Sequence, residues 1–244
     1  MGNDKKYEED MEFLAMIDWS VVLQIIIIDL LLGGDNAVVI ALACRNLHPN
    51  QRRKGIIWGT AGAIILRVIL VAFAVVMLQI PFLKLVGGIL LLWIGYKLMV
   101  QEDEEEHNLN APDKLFAAIK TIIIADIVMS LDNVLAIAGA AGQVDNTAHQ
   151  IGYVIFGLIV SIPIIVAGSR IVLYLIDRFP IIVTAGAGLL GWIAGGMMVT
   201  DPALVKRFGE GLESYTTIAG IAGAIAVMAL GEIMKRRAKA SKAS

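Results

Sequence analysis

Apolar residues in this chain run in long blocks rather than alternating with polar ones. The blocks occupy about 19–44, 54–79, 81–100, 115–141, 150–175, 180–199 and 215–234. Each is near the roughly 20 residues that carry an α-helix across a hydrocarbon layer about 30 Å thick. Breakers mark the joints: Pro49 within "RNLHPNQRRK", Pro81, Pro112 after the acidic "QEDEEEHN", "GQVDN" at 142–146, Pro180, and "TDPALVKRFGEG". The pattern predicts an all-α polytopic membrane protein with seven transmembrane helices, forming a single transmembrane domain over 1–244. Only Pro81 separates the second block from the third, which predicts a tight antiparallel hairpin there.

Composition agrees with that reading. The 244 residues are 58% hydrophobic and 17% charged, with a mean hydropathy of +0.77, well above the apolar content of a soluble domain. The expected surroundings are therefore a lipid bilayer, and no nucleic-acid partner is expected. The opening "MGNDKKYEEDMEF" is too acidic for the n-region of a signal peptide, so the first span is expected to be retained. A single cysteine, Cys44, excludes an intrachain disulfide and a thiolate metal cluster.

Charge matters here by distribution. With the N-terminus outside, Arg45, Arg52, Arg53, Lys54, Lys97, Lys114, Lys120, Arg170, Arg178 and the basic tail from Lys235 lie inside, against Lys5, Lys6, Lys84, Lys206 and Arg207 outside. The excess predicts an outside N-terminus and a cytoplasmic C-terminus.

One stretch occurs twice. "DLLLGGDNAVVIALA" at 29–43 matches "DIVMSLDNVLAIAGA" at 126–140, pairing Asp29 with Asp126, Asp35 with Asp132 and Asn36 with Asn133. The likeness extends to "PFLKLVGGILLLWIGYKLMV" at 81–100 and "PIIVTAGAGLLGWIAGGMMV" at 180–199, where Pro81, Gly87 and Trp93 match Pro180, Gly186 and Trp192. Two copies of a three-helix unit, about 19–100 and 115–199, followed by a seventh helix at about 215–234, are the result. An odd number of spans per copy inserts the second copy upside down, the inverted-repeat plan of many secondary transporters, whose site lies at the repeat interface near the bilayer midplane.

The repeated carboxylates carry the chemistry. A charged Asp at a span centre costs about 2.5–3.5 kcal/mol on insertion scales, so four isolated ones would cost about 10–14 kcal/mol, comparable to the whole stability of a domain. Protonation, a basic partner or a bound cation must offset this. The only clearly intramembrane base is Arg67, which could neutralise the site or anchor a carbonyl. Carboxylate and carboxamide oxygens are hard ligands suited to Mg²⁺, Ca²⁺ or Mn²⁺, and neither motif has a neighbouring His or Cys. Asp29, Asp35, Asn36, Asp126, Asp132 and Asn133 are therefore the candidate metal site.

Spacing adds detail. At about 100° per residue Asp29 and Asn36 share a helix face, whereas Asp35 points about 120° away, as do their counterparts in the second motif. Gly33-Gly34 is the expected point where the first helix opens to reconcile them. The second motif has Ser130-Leu131 there, so a weaker distortion is expected, with the Ser130 hydroxyl on a freed backbone group. The plainer reading, polar glue between helices, suits Ser, Thr or a single Asn better than paired acids. Core packing is expected for Met129, an interfacial position for Glu232, a solvated loop for "EDEEEH", and close helix packing for the glycines of "GGILLLWIG" and "AGAGLLGWIAGG".

The doubled Asp-Asn motif resembles the TerC family of bacterial integral membrane proteins, in its small YjbE-like branch, and the likeness covers nearly all of residues 13–235. That resemblance implies a multi-pass protein of the bacterial plasma membrane tied to metal homeostasis, with Mn²⁺ efflux the first expectation and the six motif residues holding the ion. Joined to the repeat, it predicts a non-enzymatic exporter of a divalent cation, with proton antiport as the expected coupling. The alternatives are an intramembrane aspartyl protease, which also carries Asp in membrane helices, and a membrane subunit that binds metal without transporting it.

Overall fold

The computed structural model describes residues 19–32, 34–73, 80–100, 111–141 and 147–242, and every regular element among them is helical. In chain order these are α1 (Trp19–Leu32), α2 (Gly34–Cys44), α3 (Pro49–Ala72), α4 (Leu83–Val100), α5 (Ala111–Ala141), α6 (Thr147–Arg178), α7 (Ile181–Val199) and α8 (Pro202–Phe208). A 3₁₀ turn (Glu210–Tyr215) and α9 (Thr216–Lys242) complete the chain.

The helices fall on the predicted blocks, with two instructive shifts. Three prolines read as breakers stand in first turns instead: Pro49 opens α3, Pro112 follows the first residue of α5, and Pro202 opens α8. A first-turn N–H needs no partner within the helix, so proline costs nothing there. Conversely α1 and α2, expected as one span, are two helices bent by 46° relative to each other, the geometry of a broken span or of a re-entrant loop. Among the described residues five helices are long and apolar enough to cross a membrane, or six with this broken pair. Outside that set are the seven-residue α8 and the long α5, whose 31 residues include Asp113, Lys114, Lys120, Asp126 and Asp132.

Helix partners follow a regular scheme. The first block (α1 and α2) packs on α6, α3 packs on α5, and α4 packs on α7. First helix thus meets second helix across the two sequence copies, and third meets third. Helix α9 lies against α7 and α4. In a bilayer, apolar surface alone drives little helix association, and close van der Waals contact does more. Accordingly a Cβ placed on Gly191 of α7 would run into the Gly223 backbone of α9, and one on Gly223 into that of Gly191. The glycines expected to mark close packing do so here, while Trp58, Ile65, Ile171, Tyr174 and Ile218 point outward into the apolar belt.

Two polar ties identify which loops share an end of the bundle. Arg52 at the start of α3 forms an ion pair with Asp177 at the end of α6, at 2.7 Å. At the other end Asp201, fully buried, accepts from the backbone N–H of Phe82 (3.3 Å) and Leu85 (3.2 Å) and caps α8 through Ala203 (2.9 Å). Phe82 has a left-handed backbone (φ 61°), a conformation costing roughly 1–2 kcal/mol outside glycine, and the bond from Asp201 holds it. Both ties join loops that the predicted seven-helix path puts on the same side.

Candidate functional site

Three helices deliver a buried charge cluster. Asp29 comes from the last turn of α1, Asp126 from the middle of α5, and Arg67 from α3, with relative exposures of 1%, 6% and 1%. Arg67 spans the other two: Nη1 donates to Asp29 Oδ1 and Nη2 donates to Asp126 Oδ1. Its Nε donates to Ser130 Oγ at 3.0 Å, and that hydroxyl donates to Asp126 Oδ2 at 3.3 Å. On α6 the Ser161 hydroxyl reaches Asp29 Oδ2 and the Leu158 carbonyl (2.8 Å). The two aspartates that correspond in the sequence repeat are therefore bound to one guanidinium.

Burial makes this arrangement obligatory. Each ion would lose several kcal/mol of hydration alone, and removing one partner of such a group typically costs about 3–5 kcal/mol. The fork of Arg67 suits the task because its donors diverge in a plane and can serve two carboxylates at once. Two carboxylates share one guanidinium, so Arg67 can balance the charge of only one of them. Chain neighbours of the three charged residues belong to the apolar core: Ala125, Val128 and Met129 to the larger cluster, Ile25 and Ile64 to a smaller one. Met129 thus packs, as expected.

Beside the cluster lies a small cavity of about 20 Å³ between α2, α3, α5 and α6. Asn36, Thr60, Arg67 and Asp126 are its polar walls and Val39, Ile40, Ile64, Ile122 and Ile165 are among its apolar ones. Both side-chain polar atoms of Asn36 and the Thr60 hydroxyl are buried without a hydrogen-bond partner among the described residues.

The six predicted residues distribute as follows. Asp29 and Asp126 meet through Arg67, and Asn36 joins Asp126 at the cavity wall. Asp35 is half-buried in the first turn of α2, where the positive end of the helix dipole favours a carboxylate, and its buried Oδ1 has no partner among the described residues. Asn133 is buried on α5. The Asp132 side chain, Gly33 and the acidic loop 101–106 lie outside the described residues. Among the described residues no three His, Cys, Asp or Glu side chains form a cluster fit to hold a metal ion.

Sequence reasoning missed or misplaced four groups. Ser130 does not cap a freed backbone group; α5 runs unbroken through it and its hydroxyl ties Asp126 to Arg67. Arg67 was visible as the intramembrane base, but its joint hold on both motifs follows only from the packing of α3 against α5. Ser161 had no motif to mark it. Thr60 sits in the small-residue run "GTAGA", yet its seven-residue spacing from Arg67 puts both on one face of α3. Glu232 is an exposed residue of α9, paired with Arg236 one turn on at 2.9 Å.

Comparison with known proteins gives a consistent result. Residues 14–239 match the model of the "Integral membrane protein TerC family". The uncharacterized membrane protein YjbE of Bacillus subtilis (strain 168) is 43% identical over 188 residues, covering 77% of this chain and 83% of its own. The uncharacterized membrane protein YceF of the same strain is 24% identical over 187 residues, covering 73% and 70%. The protein YegH of Escherichia coli (strain K12) is 24% identical over 235 residues, 88% of this chain but 42% of its own length. No solved structure matches the chain.

Proposed function

The chain belongs to the TerC family of multi-pass integral membrane proteins, and from that footing we propose that it exports a divalent metal cation, Mn²⁺ first, with Mg²⁺ and Ca²⁺ as the alternatives. The single observation that carries the reading is the convergence of Asp29 and Asp126, one from each sequence copy, on a single buried cation-binding point now held by Arg67. The architecture is two inverted three-helix repeats and a seventh helix. The reciprocal pairing of α1 and α2 with α6, of α3 with α5, and of α4 with α7 supports this, because a two-fold relation between repeats requires such an exchange. The charge distribution supports an outside N-terminus and a cytoplasmic C-terminus, and membership of a family with bacterial relatives supports the plasma membrane as the location.

Mechanistically, Arg67 is a tethered counter-cation. When no metal is bound it pairs with both Asp29 and Asp126 and offsets the charge of one of them, where isolated carboxylates would be costly in an apolar setting. An incoming divalent ion competes for the same oxygens, and Asp35, Asn36, Asp132 and Asn133 supply further hard ligands as the guanidinium withdraws. Rocking of the repeats then exposes the ion to the other side. Proton uptake by the carboxylates releases it, since metal binding needs them deprotonated. The protease reading is disfavoured on one specific point: a catalytic dyad shares a proton between two carboxylates, whereas here a guanidinium stands between them.

Everted membrane vesicles loaded with the full chain test this directly. Mn²⁺ uptake is expected, falling at least about 100-fold in Asp126→Asn, since even outer-shell partners of a metal are worth 10–100-fold. Uptake in Asp126→Asn equal to that of the parent chain would end the proposal. Uptake indifferent to an imposed pH gradient would remove proton coupling and leave transport standing.

A further inference from the structure

Buried hydroxyls on these helices follow a rule that one residue breaks. Ser169 bonds back to the Ile165 carbonyl at 2.8 Å, Ser161 to Leu158 and Asp29, and Ser130 to Asp126. Even the half-buried Thr121 turns back to Ala117 at 2.9 Å. That return to the preceding turn is the ordinary way for a helical Ser or Thr to satisfy itself in apolar surroundings. Thr60 is 2% exposed and forgoes it, leaving Oγ1 at the wall of the cavity with no hydrogen-bond partner among the described residues. Asn36 faces the same cavity, 5% exposed, with Oδ1 and Nδ2 both unbonded. Leaving such groups bare in apolar surroundings is costly; a ligand that binds them removes the cost.

The cavity's size and charge say what kind of ligand. About 20 Å³ is room for one water-sized particle, for which roughly 10–15 Å³ suffices. Asp126 brings a carboxylate to the cavity wall and Asp29 stands across Arg67 from it, so two carboxylates share one guanidinium here and a cation suits the position better than an anion. The available donors are a hydroxyl, a carboxamide and a carboxylate oxygen, all hard, which select Mg²⁺, Mn²⁺ or Ca²⁺ over soft ions.

We propose that this cavity is a binding position for the transported divalent cation, and that Thr60 is one of its ligands through Oγ1, with Asn36 Oδ1 and the Asp126 carboxylate. The inference rests on the transport reading above and adds a ligand from α3, a helix with no acidic motif. Thr60 and Arg67 share a face of α3 and both line the cavity. An ion held by Thr60 therefore sits beside the ion pair it must open, and Asp126 passes from guanidinium to metal.

The test uses the purified full chain in liposomes, with Mn²⁺ and Cd²⁺ as probes. Thr60→Val keeps the shape and removes the hydroxyl; it should raise the Mn²⁺ concentration for half-maximal flux about tenfold, with Thr60→Ser staying within about twofold of the parent. Thr60→Cys puts a soft sulfur at the same point and should move the preference about tenfold from Mn²⁺ toward Cd²⁺. This variant carries the test by itself if Thr60→Val fails to accumulate. Parent-like Mn²⁺ dependence in Thr60→Val, or an unchanged Cd²⁺ preference in Thr60→Cys, would mean that the cavity holds only water, and would overturn the inference while transport stands. No Mn²⁺ flux from the parent chain would overturn both.

Discussion

Two buried carboxylate centres in this molecule are built on opposite principles. Asp201 is fully buried and spends both oxygens on backbone N–H groups of Phe82, Leu85 and Ala203. Asp29 and Asp126 are nearly as buried but are held by side chains, chiefly Arg67, next to a cavity with unbonded polar walls. Backbone donors cannot leave without unfolding a helix end, so Asp201 is a fixture. A guanidinium on a long side chain can swing away, so Asp29 and Asp126 can exchange partners. Burial alone does not distinguish a structural acid from a functional one; the mobility of what satisfies it does.

The sharpest way to break that comparison is Arg67→Gln. It strands two carboxylates in an apolar site and should lower stability by about 3–5 kcal/mol, read from thermal unfolding in detergent. If Arg67 is a stand-in for the metal, Mn²⁺ should return much of the loss, and stabilise Arg67→Gln more than it stabilises the parent chain, because ligand binding to the folded state adds stability by mass action. An equal Mn²⁺ effect in both chains would make Arg67 a structural anchor like Asp201's partners.

Asp201→Ala is the counter-experiment, with a somewhat smaller expected effect. Losing a helix cap and charge-assisted bonds to two more N–H groups should cost about 2–3 kcal/mol. Here Mn²⁺ should restore nothing beyond its effect on the parent, and the Mn²⁺ dependence of flux in the surviving folded protein should be unchanged. A shift in that dependence would show that the Asp201 tie is part of the transport cycle.

The contrast between the two centres was only half legible in the sequence. Asp29 and Asp126 stood out because carboxylates inside apolar blocks are expensive and because they recur at matched positions. Asp201 stood only inside "TDPALVKRFGEG", read as a breaker between helices, and its role as the cap of α8 came from the structure. Its bonds to Phe82 and Leu85 span 119 and 116 residues, and no periodicity encodes them. The same holds for Arg67, whose charge is visible but whose partners depend on how α3 packs against α1 and α5. Thr60 is hidden for a different reason. In "GTAGA" a hydroxyl among small residues signals helix contact, and only its lack of a hydrogen-bond partner among the described residues sets it apart.

A third ion pair sets the lower bound of the comparison. Arg52 and Asp177 join α3 to α6 at 2.7 Å, but their side chains are 24% and 51% exposed, so solvent screens their attraction and a pair of this kind contributes about 0–1 kcal/mol. Asp177→Asn should therefore change stability by less than about 0.5 kcal/mol, and less still in high salt. Arg52→Gln should cost somewhat more, because Arg52 also donates from Nε to the Leu47 carbonyl at 3.0 Å and from Nη2 to the Arg45 carbonyl, beyond the end of α2. The difference between the two variants isolates the loop-anchoring bonds from the ion pair. If Asp177→Asn instead cost as much as Asp201→Ala, exposure would be a poor guide to what a carboxylate contributes here, and the distinction would have to rest on partner mobility alone.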